Sequence, residues 1–387
     1  MKFQKYTLLF VSLGLLATTF SYDVNAKQVQ SYKELEEIQF MPEATFNDKT
    51  KLVENVPYDD PFLDYQIRLP KDFESVTSKL TAINFAENVS QQVLGVMSRY
   101  SSPPVNGVRS SFVLEALELT FEISARNWFI NYIIVNGLSL DQVSIENETN
   151  VEAIYTEIIK DVTYNVRIKA VKNGPRIVMA RYYMPQQLFE GNKVIQAQVI
   201  DSFKLNNTEK VDIEELKGYA FLDQTYMKYP ASWKLEGPYI RSIDRMMARV
   251  YRKTKGDRLD GQINIYISKK DDEKKRSSEV AYYKEKMILN GYRLGEFLEK
   301  LDFEYQEEMK IGFTEAYTLN ALNRQFLDYE IWFSFLENKE YYYFISLYTP
   351  ERDINFASWA RNVEAYKILL ENLRRNNIDP NYMKIDQ

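Results

Sequence analysis

Apolar residues recur at every second position in residues 163–172, the pattern of a β-strand, and three further stretches rich in apolar residues complete two candidate hairpins. Asn173-Gly174 separates the first two stretches, and these residue types tolerate the positive φ of a tight hairpin turn. Four polar residues separate the other two. The pattern therefore predicts one β-hairpin in each half of the chain. The stretches are residues 163–172, 176–183, 327–336 and 341–348.

The two halves share further landmarks in the same order. Each half opens with an alternating strand that ends in proline, with an aromatic residue three positions later. These prolines, Pro70 and Pro230, are 160 residues apart, and the prolines that close the hairpins, Pro185 and Pro350, are 165 apart. A nearly constant offset predicts a tandem duplication. The alternative is two unrelated α+β domains that share common strand punctuation.

Helical periodicity and capping residues mark the remaining elements. Ser124 is a candidate N-cap, and Asn136-Gly137 a candidate C-terminal stop, for one helix. Residues 111–120 fit both the strand and the helix period. Helices are predicted at 33–39, 124–135, 194–203, 277–289, 294–301 and 359–373, and strands at 64–70, 92–99, 225–230, 246–252 and 261–268.

The N-terminus has the features of an export signal. Lys2 and Lys5 precede the uncharged, mainly apolar run 6–17, and small residues lead up to Ala26. The run is short for a membrane span, which needs about 20 apolar residues. We expect cleavage after Ala26 and no membrane span in the mature chain, which places the protein in a periplasm or outside the cell. An uncleaved N-terminal anchor is the alternative.

These signals predict a division of the chain into six parts. They are a signal peptide at 1–26, an N-terminal extension at 27–57, a first domain at 58–205, a linker at 206–218, a second domain at 219–377 and a tail at 378–387.

Composition narrows the chemistry available to the protein. The 387 residues include no Cys and no His, which excludes disulfides, lipidated cysteine, thiolate or imidazole catalysis and the usual zinc sites. No phosphate loop, nucleophile elbow or dinucleotide motif is present. We therefore expect no enzyme activity, cofactor or metal. The net charge of −6 gives no basic footprint for nucleic acid. The sequence leaves the oligomeric state open.

The order of elements resembles the PsbP family. A strand ending in Pro-x-x-aromatic, a further hairpin, a helix, antiparallel strands and a long last helix recur at about 58–205 and 219–377. The resemblance, which extends to exported proteins of the DcrB type, implies two tandem α/β/α sandwich domains, each a mainly antiparallel sheet flanked by helices. It also implies protein docking without catalysis. It carries over no functional residues.

Aromatic residues form the densest apolar cluster and give the candidate surface. The cluster comprises aromatic residues of 329–335 and 341–344, and the candidate interaction or ligand surface consists of Tyr329, Trp332, Tyr342 and Trp359. Alternation between two helix-covered faces of a sheet accounts for most of them. We expect an exported, non-catalytic protein-interaction or assembly module of the cell envelope, with other envelope or secreted proteins as partners. The alternatives are a binder of a small apolar or sugar-like ligand in an aromatic groove, and a carboxylate-dependent hydrolase. The acidic series at 296–308 is interpreted as a solvated helix face.

Overall fold

A computed structural model describes most of the chain. The described residues are 33–76, 91–144, 148–221, 225–242, 244–271, 275–301, 303, 305–307, 309–321, 326 and 328–375. The predicted signal peptide, its cleavage site at Ala26 and the predicted tail at 378–387 lie outside these residues.

The described chain is mainly β-structure with a few helices. The strands are β1 (Lys33–Glu34), β2 (Thr50–Asn55), β3 (Tyr65–Pro70), β4 (Glu74–Ser75), β5 (Gln91–Ser101), β6 (Ser111–Leu119), β7 (Ser139–Ser144), β8 (Asn150–Ile159), β9 (Val162–Asn173), β10 (Arg176–Pro185), β11 (Lys204–Leu205), β12 (Leu216–Phe221), β13 (Thr225–Pro230), β14 (Lys234–Ser242), β15 (Arg245–Lys253), β16 (Leu259–Lys269), β17 (Tyr292–Lys300), β18 (Lys310–Ala321), β19 (Tyr329–Glu337), β20 (Tyr341–Pro350) and β21 (Arg374–Arg375). The helices are α1 (Glu43–Lys49), α2 (Ala125–Asn136), α3 (Gln186–Asp201), α4 (Arg276–Leu289) and α5 (Phe356–Glu371), with 3₁₀ turns at Pro57–Asp59 and Pro61–Leu63.

The strands form two large and two small sheets. The first large sheet has the order β1-β7-β8-β9-β10-β6-β5-β4, and its small companion has the order β11-β3-β2. The second large sheet has the order β14-β15-β16-β20-β19-β18-β17, and its companion is β12-β13-β21. All pairings are antiparallel except β1 with β7. The fold is therefore α+β, with mixed sheets flanked by helices.

Corresponding strands occupy corresponding places in the two halves. Seven strands of the first large sheet, from β4 to β7, follow the same spatial order as β14 to β17 of the second. The turns after the opening strands also match. Phe73 N donates to Pro70 O at 3.0 Å, Trp233 N donates to Pro230 O at 3.0 Å, and both aromatic rings are buried.

Three apolar clusters fill the space between the layers. One packs α3 and β3 on the first large sheet, and another packs α4 on the second. The largest spans both halves, since it includes Trp128 and Phe129 of α2 together with Trp359 and Tyr366 of α5. The two halves therefore meet through α2 and α5.

Two of the predicted helices are wrong. Residues 294–301 lie mainly in strand β17, so Glu296 and Glu299 are on a sheet edge and not on a helix face. Two β-bulges, between Leu294 and Phe297 and between Phe297 and Glu299, break the period-two alternation and leave a spacing that imitates a helix.

At the other end of the chain, Lys33–Glu34 pairs with β7 instead of starting a helix, and the first helix begins at Glu43. Pairing with an open sheet edge here overrides the local helix preference. Residues 111–120, which fitted either period, form strand β6.

Candidate functional site

A cavity of about 230 Å³ lies between α2 of the first half and α5 of the second. Its lining also includes residues of β17, β19 and the segments beside them. Aromatic and aliphatic side chains mix here with six charged ones. The lining residues are Arg126, Asn127, Ile130, Glu148, Glu299, Leu301, Phe303, Trp332, Arg352, Phe356, Trp359, Val363, Glu364 and Lys367.

Local capping holds the α2 wall of the cavity in place. The Ser124 hydroxyl accepts a hydrogen bond from Asn127 N at 3.2 Å, which satisfies one free donor of the first turn. Gly137 ends the helix in the left-handed region with φ of 60°, where glycine is favoured. Arg126 and Ile130 are four residues apart, so both point to the same side of α2.

A buried carboxylate, Glu330, organises one wall of the cavity. It is 1% exposed and accepts hydrogen bonds from the indole N–H of Trp332 at 2.8 Å and from that of Trp359. Arg352 donates to it from Nε at 3.3 Å and donates to Glu299 at 2.6 Å. Burial raises the pKa of Glu330, and the Arg352 charge opposes that shift. This network fixes both indole rings, because each ring donates its single N–H to the same carboxylate.

The remaining charged groups divide into paired and unpaired ones. Lys367 Nζ lies 2.9 Å from a carboxylate oxygen of Glu148, an ion pair that links the two halves. Arg126 has no carboxylate of the described chain within ion-pair distance, and its buried Nε has no hydrogen-bond partner there. Glu364 likewise makes no close ion pair among the described residues. Burial raises its pKa to about 7, against the opposing charge of Lys367.

The four aromatic residues proposed from the sequence do not form one surface. Trp332 and Trp359 both line the cavity, with ring centres 5.8 Å apart and planes at 67°. Tyr329 and Tyr342 belong to the core on the α4 side of the sheet. The Tyr329 hydroxyl donates to Leu259 O at 2.7 Å, and Lys270 Nζ lies 4.6 Å from the Tyr342 ring centre. All four side chains are buried.

Sequence reasoning missed the charged members of the cavity. One signal was present in strand β19 (YEIWFSFLE), where Glu330 lies in an apolar run. A buried glutamate is almost always paired, so its position indicates a polar partner nearby. No signal brings Arg126 and Glu364 together, since they lie in different halves and meet only through the contact of α2 with α5.

A second surface feature lies at the edge of the second large sheet. Strand β17 is the last strand there, and no other described strand pairs with its outer side. A groove of about 480 Å³ runs between this strand and the last turns of α4. Ile288 of the groove lining exposes 56% of its surface, and Leu289 at the end of α4 and Phe297 of β17 expose 69% and 51%. Lys284 and Arg293 are the charged residues among its described lining.

The described residues hold neither a cluster of metal ligands nor a membrane-crossing helix. No group of three or more Asp or Glu side chains in the described ranges could hold a metal ion. No helix in the part of the chain that the structure describes is long and apolar enough to cross a membrane.

No protein-family model matches this chain, and no curated protein matches it either. Several solved structures are similar to it at low identity. Cyanobacterial PsbP from Synechocystis sp. PCC 6803 is 12% identical and covers 44% of this chain and 98% of its own, with a TM-score of 0.29. LpqN of Mycobacterium tuberculosis, described as involved in cell envelope biogenesis, is 10% identical and covers 43% of this chain and 98% of its own, with a TM-score of 0.26.

The immunity protein TplEi of the T6SS from Pseudomonas aeruginosa is 12% identical and covers 85% of this chain and 98% of its own, with a TM-score of 0.21. Cyanobacterial PsbP is thus among the solved structures to which this chain is similar. At these TM-scores the likenesses say nothing about what this chain does.

Proposed function

We propose that the protein is an exported, non-catalytic interaction module of the cell envelope, and that partners dock on strand β17. The observation that carries the proposal is the open edge of this strand beside the exposed apolar end of α4. Export is supported by the signal-like residues 1–26. The absence of catalysis is supported by the missing Cys and His, and by the ion pairing of Glu148 and Glu299 in the cavity.

An open sheet edge recognises an extended segment. Its backbone N–H and C=O groups accept an added strand, and neighbouring apolar pockets select alternate side chains of that strand. Exposed clusters of large apolar side chains mark such contact sites on soluble proteins. The groove beside β17 combines both features.

The charges of the groove favour a partner segment with acidic and apolar residues. Lys284 and Arg293 line the groove without an acidic residue among the described lining, so an acidic side chain seated in the groove is attracted to them. The expected partner is therefore an envelope protein with an extended, acidic and apolar strand.

Site-specific photocrosslinking in intact cells tests this docking site. A photoreactive phenylalanine at position 297 should crosslink to a partner protein of the envelope fraction. The same residue at position 158 is the control, because Ile158 is also an exposed apolar strand residue but lies in the other half. Phe297→Lys, carried with a crosslinker at position 289, should reduce the adduct at least tenfold. Equal adducts from positions 297 and 158 would contradict the proposal.

The proposal also includes export and a tandem duplication, and each rests on separate observations. An intact mass that begins at Lys27 would establish cleavage after Ala26. The tandem duplication of 58–205 and 219–377 is supported by the matching strand order and the matching turns at Phe73 and Trp233.

A second candidate function is the binding of a small ligand between the halves. The cavity lined by Trp332 and Trp359 favours it, because ligand sites are concave, mostly apolar and carry a few placed polar groups.

A further inference from the structure

The cavity between α2 and α5 is large enough for a ring with a short side chain. A dry apolar cavity of roughly 150 Å³ accepts a benzene molecule. The cavity here measures about 230 Å³. Phe303, Trp332, Phe356 and Trp359 supply flat apolar walls. The space therefore fits an aromatic ring and leaves room for a few more atoms.

Arg126 is the basic group of the cavity that the described chain leaves without a counter-charge. Lys367 is neutralised by Glu148, and Arg352 by Glu299 and Glu330. Arg126 alone among the basic lining residues has no carboxylate partner in the described chain, and its Nε is buried without an acceptor. A ligand carboxylate that reaches the Arg126 guanidinium would supply the counter-charge that the described chain does not.

The position of Arg126 in its helix adds to the attraction for an anion. It is the second residue of α2, a helix of 12 residues, and the N-terminal turn carries the positive end of the helix dipole. A planar guanidinium binds a carboxylate with two parallel hydrogen bonds.

We propose that this cavity binds a small aromatic monocarboxylate, with the ring between the tryptophans and phenylalanines and the carboxylate on Arg126. The inference rests on the second candidate function above and names its ligand class.

Glu364 gives the site a dependence on pH. Its carboxyl group faces Lys367 on its own helix, Glu148 before β8, Glu122 after β6 and Lys172 in β9. Because its pKa is raised to about 7, the group becomes neutral as the pH falls below that value and no longer repels a bound carboxylate. Affinity should therefore increase from pH 8 to pH 6, a range in which the ligand itself stays ionised.

Calorimetric titration of the full chain with phenylacetate, 3-phenylpropionate and their uncharged amides tests the proposal. At pH 6 we expect at least one carboxylate to bind ten times more tightly than its amide. The same carboxylate should bind more weakly at pH 8 than at pH 6. Arg126→Gln should abolish the preference for the carboxylate. Arg109→Gln is the matched control, because Arg109 is exposed and outside the cavity lining.

Val363→Phe provides a second variant that blocks the cavity, and it should abolish binding of every probe. Thermal unfolding of each variant verifies folding. Equal binding of acid and amide, or an unchanged preference in R126Q, would overturn the ligand class while the cavity remains a ligand site. Absence of binding by all probes, or binding that survives V363F, would overturn the site itself. Neither result bears on docking at β17.

Discussion

Glu364 couples the contact between the halves to pH. An acid whose pKa is higher in the folded than in the unfolded chain holds its proton more tightly when folded. Its contribution to stability is therefore complete below the ordinary pKa of 4.5 and is lost as the pH rises through about 7. The cause is burial between α5 and the first half, where Glu148 and Glu122 add like charge.

We predict that Glu364→Gln removes this loss. At pH 8 the free energy of unfolding of the variant should be about 1–2 kcal/mol higher than that of the wild type. One pKa unit corresponds to about 1.4 kcal/mol, and partial exposure of the Glu364 side chain reduces the full effect. At pH 4.5 the difference should vanish. Urea unfolding at both pH values measures it, with Glu190→Gln on the exposed face of α3 as control. A difference that does not change with pH would contradict the prediction.

At the scale of elements, close approach of β16 and α5 depends on a glycine. A Cβ on Gly261 would lie 2.6 Å from Cγ of Asn362. Asn362 is buried and donates to Asp260 O at 2.7 Å and to Thr349 Oγ1 at 3.1 Å. Its amide therefore cannot move aside without losing hydrogen bonds that tie the helix to the sheet.

We predict opposite effects for two glycine-to-alanine substitutions. Gly261→Ala should lower the free energy of unfolding by about 1–3 kcal/mol, because it overpacks this contact. Gly191→Ala, on the exposed side of α3 with no atom within 4 Å of the new Cβ, should raise it by about 0.5–1 kcal/mol through helix propensity. Chemical denaturation of both variants measures the pair. A neutral G261A would show that α5 can shift on the sheet.

Local patterns predicted most elements, and long-range pairing decided the others. The hairpin β9–β10, the capped helix α2 and the last helix α5 follow directly from alternation, caps and helical spacing. Strand β17 did not, because its bulges hide the alternation. Only part of the cavity lining was predicted. Trp332 and Trp359 were candidates because they are aromatic, whereas Arg126 joins the lining through the contact of α2 with α5, which no local pattern encodes.

At the scale of the whole molecule, one apolar cluster includes residues of both halves. The ion pair of Lys367 with Glu148 and the stacking of Arg361 on Phe121, 4.5 Å from its ring centre, also cross between them. Two halves that share a core lose part of it together when either unfolds.

We therefore predict a single cooperative unfolding transition for the full chain. Scanning calorimetry at pH 6 should give a calorimetric enthalpy that equals the van't Hoff enthalpy. As a control, Trp359→Ala, which removes a large side chain at the contact, should separate the transition into two. Two transitions in the wild type would contradict the shared core.

The contact between α2 and α5 joins unlike helices of the two halves, so it determines how a further copy could be added. Under the proposed duplication it is a heterologous, head-to-tail contact, which a further copy could repeat without closing a ring. The helix that such a copy would meet is α4, the counterpart of α2. Most of α2 is buried, whereas α4 buries only Glu279, Tyr283 and Met287 and exposes Glu285 and Lys286. Like the polar outer face of a solenoid's terminal repeat, the middle of α4 disfavours a further copy, whereas its apolar end at Ile288 and Leu289 stays open to the docked strand.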